Sequence, residues 1–263
     1  AQAPSRTSRA PSLVMKRRCA VWALTLAACS LPSATGATRD VGVAELTTFT
    51  VKDAQSAEDL VKELRVALGQ PTAHVGSLRT FLMAPAQTDR TEPERVRVLR
   101  QWRSPTELER RQELSLPTGA TADAVQVEKF AKAMHFFEAG RKQDGGTFGI
   151  LVTLRAKDAD SAKKIAVEAG AHCKNKLAVE SGAVSCTTLA PEPGPSFEVC
   201  MLQQWVTKED YEMHKEAPYL DRFIQSIIPF VTAGKGAPVP MEVAEFDNIH
   251  AFAGRGPPAT EEL

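Results

Sequence analysis

The chain has 263 residues, 43% of them hydrophobic and 24% charged, which is the composition of an ordinary folded protein and excludes disorder as its main state. Its 32 basic and 32 acidic side chains give no net charge, so we expect no nucleic-acid partner, because proteins that bind nucleic acids present a basic surface. This length suits one large domain or two small ones.

Residues 1–37 have the features of a targeting segment that is cleaved near Ala37. Lys16-Arg17-Arg18 form a basic start, the run Cys19 to Leu31 is apolar, and the residues from Ser33 onward are small, as a signal peptidase requires. The apolar run is shorter than the roughly 20 residues of a stable membrane-spanning helix, so no span is expected in the mature chain. We predict a signal peptide and export or organelle targeting (secretory pathway, periplasm or plastid). A buried N-terminal helix is the alternative.

Residues 41–140 alternate between predicted strands and helices. Strands are indicated by alternating or β-branched apolar residues, and helices by capping residues in front of an apolar stripe. In chain order we predict a strand at Val43–Val51, a helix capped by Asp53 or Ser56, strands at Ser77–Met83 and Arg95–Trp102, a helix capped by Ser104 with Pro105 at its first position, a helical stretch around Ala122–Phe130 and a strand at Ala133–Glu138.

Residues 147–250 follow the same order. The predicted elements are a strand at Thr147–Arg155, a helix over 158–177, strands at Ala183–Leu189 and Ser196–Trp205, a helix over 207–231 that breaks near Pro218, and a strand at Pro240–Asp247. Residues 251–263 are predicted to be a polar tail.

Short sequence matches link the two regions. Lys52–Ala57 recurs as Lys157–Ala162 at an offset of 105 residues, and Leu99–Ser104 recurs as Leu202–Thr207 at an offset of 103. We interpret this as a tandem repeat rather than as two unrelated segments with similar helix caps. The order β-α-β-β-α-β is the ferredoxin-like arrangement, whose sheet leaves one face bare. The predicted fold class is therefore α+β, with two ferredoxin-like repeats forming an intramolecular pseudo-dimer.

Three motifs in the second repeat resemble the antibiotic biosynthesis monooxygenase (ABM) family. They are Glu180-Ser181-Gly182-Ala183-Val184, Leu202-Gln203-Gln204-Trp205 followed by His214, and Ala217-Pro218-Tyr219-Leu220. The resemblance covers 147–247 well and 41–140 more faintly. It implies a dimeric α/β barrel. It also implies an activity like that of family members that oxidise quinols or polyketide anthrones with O2 and no cofactor.

The chain departs from the family pattern at several positions. Gln203 stands where the family has an acid before the Trp, and Cys186 stands where an aromatic residue is usual. In the first repeat, Arg111 occupies the position of the His and Arg100 that of the acid. The second repeat is therefore the better candidate for activity.

His214 is the candidate catalytic base. Asp210 precedes it by one helical turn and is predicted to hold the imidazole in one tautomer. Trp205 would supply a flat wall for an aromatic ligand, with Tyr211 and Tyr219 flanking His214. For Gln203 we predict a hydrogen bond to a substrate carbonyl.

The cysteine pattern gives no information about the redox compartment. Cys173, Cys186 and Cys200 lie outside the leader, and an odd number without CxxC spacing predicts neither a disulfide framework nor a zinc site. The basic run in the third strand is predicted to be a solvated face; it consists of Arg95, Arg97, Arg100 and Arg103.

The sequence thus predicts a cofactor-independent monooxygenase that acts on a small aromatic or quinol-type compound and O2. No familiar nucleotide, metal or redox-cofactor motif is present, so no cofactor and no metal are expected. A non-catalytic ligand-binding or structural module is the alternative. A cavity bordered by His214 and Trp205 would favour the enzyme.

Overall fold

The computed structural model describes residues 39–70, 77–86, 93–110, 122–138, 146–194, 196–232 and 241–253. The predictions for the leader 1–37, for Arg111 and for most of the tail lie outside the described residues.

Eight strands and five α-helices make up the described chain. The N-terminal half contains β1 (Arg39–Val51), α1 (Ala54–Gly69), β2 (Ser77–Pro85), β3 (Glu94–Trp102), α2 (Pro105–Glu109) and β4 (Ala124–Glu138). The C-terminal half contains β5 (Thr147–Arg155), α3 (Ala159–Asn175), β6 (Ala183–Pro191), β7 (Glu198–Trp205), α4 (Lys208–Lys215), α5 (Pro218–Ile227) and β8 (Met241–Ala253), with short 3-10 turns at Leu177–Val179 and Ile228–Phe230. None of these helices is long and apolar enough to cross a membrane.

The strands form one closed antiparallel barrel in the order β1-β3-β2-β8-β5-β7-β6-β4. Each half contributes four adjacent strands. The halves join at two seams, where β2 pairs with β8 and β4 pairs with β6. The predicted fold class is confirmed, because both halves have the β-α-β-β-α-β order and together they close an α/β barrel.

Helices α1 and α3 begin in the same way. The Asp53 carboxylate accepts a hydrogen bond from the backbone N–H of Ser56 at 2.8 Å, and Asp158 accepts one from Ser161 at 2.7 Å. These N-caps satisfy amide groups that a first helical turn leaves without partners. The repeated Lys-Asp-Ala sequence therefore has the same local structure in both halves.

Apolar side chains fill the barrel and the spaces beneath its helices. The barrel interior draws on all eight strands and includes Leu46, Phe81, Leu99, Phe130, Leu151, Leu189, Leu202 and Phe246. Outside the barrel, α1 covers the N-terminal half through Leu60 and Leu64. In the C-terminal half, α3 packs on β6 and β7, with Ile165 in the shared apolar cluster, and α5 packs on α3 through Phe223.

The largest error in the predicted elements concerns β4. A helical stretch was predicted around Ala122–Phe130, but β4 runs from Ala124 to Glu138. Its exposed, alternating Val125 and Val127 fit a pleated strand, and pairing with β1 selects that conformation. Strand β8 also extends beyond the predicted Asp247 to Ala253, because it pairs with β2 across a seam.

The prediction of no disulfide is wrong, since Cys173 and Cys186 are bonded. The bond joins α3 to β6, which pack together in the C-terminal half. A separation of 13 residues matches no recognised cysteine motif. The pairing of Cys173 with Cys186 is therefore evident only once α3 packs on β6. Cys200 is free and buried.

The prediction of a solvated arginine face is wrong for Arg97 and Arg100. Arg97 lies on the barrel-interior side of β3, and Arg100 lies on its outer side. Both are at least nine-tenths buried, and Nη2 of Arg100 donates to Oε1 of Glu45 at 2.7 Å. Neither face of β3 is open to solvent at these positions.

Candidate functional site

His214 is held in place by a carboxylate from another element. It lies in the last turn of α4, and its side chain is almost fully buried. Its Nδ1 is 3.0 Å from Oε1 of Glu180, which directly follows the 3-10 turn before β6. When Nδ1–H donates to this carboxylate, Nε2 carries the lone pair. The arrangement therefore orients the imidazole with Nε2 as its basic nitrogen.

The predicted pairing of Asp210 with His214 is wrong. Asp210 accepts hydrogen bonds from the backbone N–H and the hydroxyl of Thr207, at 3.1 and 3.0 Å. The two residues form a capping box that starts α4, and this use of the carboxylate competes with pairing along the helix. Glu180 takes the predicted role instead. Its place in the ABM-like motif was the only sequence signal for it.

Aromatic rings surround His214. Its ring centroid is 4.8 Å from that of Trp205, 5.9 Å from that of Tyr219 and 5.7 Å from that of His172. The Tyr219 hydroxyl is 3.5 Å from Nδ1 of His214. The structure therefore brings together the predicted residues Trp205, Tyr219 and His214. It adds His172, which no sequence motif indicated and which stacks on Phe223 with centroids 4.5 Å apart.

Tyr211 and Gln203 lie at the edges of this cluster. Tyr211 packs on Trp205 and on Phe148, with ring centroids 6.3 and 5.5 Å apart, and burial raises its pKa to about 12. Gln203 is buried on β7, where its amide nitrogen contacts the sulfur of Met201 at 3.5 Å. Both side chains are buried in this arrangement.

Three buried polar atoms in this region have no hydrogen-bond partner among the described residues. They are Nε1 of Trp205, Nε2 of His172 and Oε1 of Gln203. An unpaired buried polar atom costs about 1–3 kcal/mol, so such atoms are uncommon in packed cores. Burial, with smaller contributions from His214 and Lys176, lowers the pKa of His172 to about 4, so this ring is neutral at pH 7.

The site is closely packed. His214 is 3% exposed and Trp205 is 1% exposed. Among the described residues, cavities of about 320 and 310 Å³ lie near the β2–β8 seam, and neither is lined by His214 or Trp205. Entry of a ligand would require side chains near the α4–α5 junction to move.

The N-terminal half has different chemistry at the matching positions. Trp102 and Trp205 match, and both are buried. The paired residues Glu45 and Arg100 occupy the register positions that Ile150 and Gln203 occupy in the other half. A buried ion pair thus lies in the N-terminal half where the C-terminal half has an amide whose oxygen has no partner among the described residues.

No protein-family model and no curated protein sequence matches this chain. Solved structures with a similar fold include a candidate monooxygenase from Lactobacillus acidophilus, 15% identical with a TM-score of 0.58, which covers 82% of this chain and 97% of its own. An anthrone oxidase-like protein is 14% identical with a TM-score of 0.57, covering 86% and 98%. A candidate monooxygenase from Fusobacterium nucleatum is 13% identical with a TM-score of 0.59, covering 85% and 99%. These likenesses confirm the predicted α/β-barrel fold.

Proposed function

We propose that this protein is a monooxygenase that oxidises a small aromatic or quinol-type compound with O2, without a cofactor, and with His214 as the base. The observation that carries the proposal is the buried His214 ring, bonded through Nδ1 to Glu180 and packed beside Trp205. The monooxygenase and anthrone oxidase-like names of the structures that share this fold support it.

The reaction requires only a base and a dry site. Nε2 of His214 accepts a proton from an electron-rich phenol or anthrone, and the Glu180 carboxylate stabilises the imidazolium that forms. The substrate anion then transfers an electron to O2, and the two radicals combine to form a carbon–oxygen bond. The peroxide anion takes the proton back from His214, and loss of water from this hydroperoxide, which breaks its O–O bond and the C–H bond at the same carbon, leaves a carbonyl. One oxygen atom therefore enters the substrate and the other leaves in water, with all four electrons supplied by the substrate.

The unpaired polar atoms would orient the substrate. The indole N–H of Trp205 is a donor for a phenolic oxygen or a carbonyl, and the amide of Gln203 offers the acceptor Oε1. A bound aromatic compound would satisfy these groups and lie against the Trp205 ring. This requirement favours a substrate with an oxygen that accepts from the indole N–H and a hydroxyl that donates to the amide oxygen.

The leader and the disulfide support a proposal about location. A basic and apolar leader with small residues at its end is typical of a targeting segment, and the Cys173–Cys186 bond suits an oxidising compartment. We propose that the mature chain works outside the cytosol, after export or organelle import.

A non-catalytic binding or structural module is the second candidate function. The close packing around His214, with 3% exposure, and the absence of an acid at Gln203 favour it. In that case the aromatic cluster stabilises the C-terminal half and turns over no substrate.

Oxygen uptake with a panel of quinols and anthrones separates the two functions. We expect wild-type protein to consume O2. The rate of O2 uptake by His214→Ala should be lower by at least about 100-fold, which is the scale of general-base catalysis. Met213→Ala, an exposed neighbour on α4, is the matched control and should keep the wild-type rate. Uptake that is absent from wild type, or equal in wild type and His214→Ala, would remove His214 as the base.

A further inference from the structure

A second region of the molecule has the features of a ligand site. A cavity of about 320 Å³ lies at the β2–β8 seam, where β2 ends at Pro85 and β3 begins. Arg95 and Arg97 line it from β3, and Glu242 and Phe246 line it from β8. None of these residues belongs to the His214 cluster.

Arg97 is the unusual member of this lining. It is 8% exposed, and its Nε has no hydrogen-bond partner among the described residues. Its nearest carboxylate oxygen, on Glu242, is 3.8 Å from Nη2, which is beyond hydrogen-bond distance. A buried guanidinium without a bonded anion is costly, and burial lowers the pKa of Arg97 accordingly.

The fold itself does not require an arginine at this position. The matching residue in the C-terminal half, at the offset of 103, is Cys200, which is buried and lies in the barrel-interior cluster. At this level of the barrel, one wall therefore carries a small apolar side chain, while the opposite wall carries a cation beside a cavity. Packing explains Cys200 and leaves Arg97 unexplained.

The other charges near the cavity are mostly engaged. Glu242 is shared by Arg95 at 3.6 Å, Arg97 at 3.8 Å and Arg155 at 4.0 Å, and Arg155 also bonds Glu198 at 2.9 Å. The lining residue Glu245 is paired with Lys208 at 3.0 Å. Glu94 is the remaining lining carboxylate. Three arginines thus share the Glu242 carboxylate.

We propose that this cavity binds a small carboxylic acid with an apolar tail. Its carboxylate would bond to the Arg97 guanidinium, and its tail would lie on Pro85 and on the Phe246 ring, whose centroid is 5.7 Å from the Arg97 carbon. A monoanion is favoured over a phosphate because Glu94 and Glu242 line the same cavity and repel a higher charge. This site is independent of the function proposed for His214.

Isothermal titration with hexanoate tests the site, and hexanamide serves as the neutral probe of equal shape. Wild-type protein should bind hexanoate saturably and bind hexanamide at least about tenfold more weakly, since the amide lacks the charge that Arg97 pairs. Arg97→Met should weaken hexanoate binding by about tenfold or more. Arg155→Met, which removes an exposed cation beside the same Glu242, is the matched control and should change the affinity less than about twofold.

A cavity-filling variant keeps the test valid if Arg97→Met does not fold. Ala86→Phe leaves every charge in place and should abolish hexanoate binding, because Ala86 lines the cavity. No saturable binding of hexanoate to wild type, equal binding of both probes, or wild-type affinity in Ala86→Phe would overturn the proposal.

Discussion

At the scale of single residues, two histidines in contact have opposite surroundings. His214 has a carboxylate 3.0 Å from Nδ1, whereas His172 has a buried Nε2 without a partner and a pKa lowered to about 4. Their ring centroids are 5.7 Å apart, so a charge on one ring disfavours a charge on the other. Burial therefore keeps the His172 ring neutral at pH 7.

Replacement of Glu180 by glutamine tests the orientation of His214. Glu180→Gln keeps the size of the side chain but removes the charge that stabilises the imidazolium, so we expect substrate-dependent O2 uptake to fall about 10- to 100-fold. The rate should be measured across pH, because a positioning role predicts a changed pH profile. Glu212→Gln, on the exposed surface of α4, should keep the wild-type rate and profile. A wild-type profile in Glu180→Gln would contradict this role.

His172 makes the folded protein sensitive to acid. An unfolded chain protonates this ring below its ordinary pKa of 6.5, but the folded chain resists protonation until about pH 4. The unfolded state binds more protons in that window, so the free energy of unfolding falls as pH drops from 6.5 to 4, by roughly 3 kcal/mol from this group. His214, Lys176 and the Tyr219 ring face the same imidazole.

Urea denaturation of wild type and His172→Phe measures this contribution. The phenylalanine cannot titrate and can still stack on Phe223, so the variant should lose less stability than wild type between about pH 7 and pH 4. An identical loss of unfolding free energy in both proteins would show that His172 is not the source of the acid sensitivity.

At the scale of elements, the disulfide of the C-terminal half lies next to the candidate site. Helix α3 carries both His172 and Cys173, and the bond from Cys173 to Cys186 attaches this helix to β6. On β6, Cys186 is the register partner of Gln203. The disulfide therefore connects the helix that bears His172 with the strand that lies beside Gln203.

Loss of the disulfide should lower stability by a measurable amount. The bonded cysteines are 13 residues apart, and a loop of this length corresponds to about 3 kcal/mol in the unfolded-chain entropy estimate. We expect the Cys173→Ser and Cys186→Ser double variant, or reduced wild type, to unfold at lower urea by this margin. Reductant should leave the double variant unchanged. Equal stability of oxidised and reduced wild type would contradict the estimate.

Signals from neighbouring residues in the sequence predicted most of these elements. The failures share one cause, which is contact between residues that are far apart in the sequence. Ser104 caps its helix as expected, and Asp53, one of two predicted candidates, caps α1, because capping depends on neighbours in sequence. Strand β4 was missed in part because pairing with β1 and β6 decides its conformation. Glu180 lies 34 residues from His214, so only the packed structure reveals their contact.

At the scale of the whole molecule, one chain closes a barrel that leaves no strand edge open among the described strands. The β2–β8 and β4–β6 seams join the halves in antiparallel register, for example Leu82 with His250 and Met134 with Thr188. The two seams are formed by equivalent strands of the two halves, but the side chains at the two seams differ. The histidine cluster belongs to the C-terminal half, and the arginine-lined cavity includes β3 of the N-terminal half.

The most direct test of the proposed monooxygenase is the fate of oxygen from ¹⁸O-labelled O2. A quinol or anthrone that supports O2 uptake should be converted to a product that contains one labelled atom by mass spectrometry, with the second label in water. We predict this label with wild type and Met213→Ala, and its loss with His214→Ala. A product without label, or equal labelled product from wild type and His214→Ala, would contradict the account.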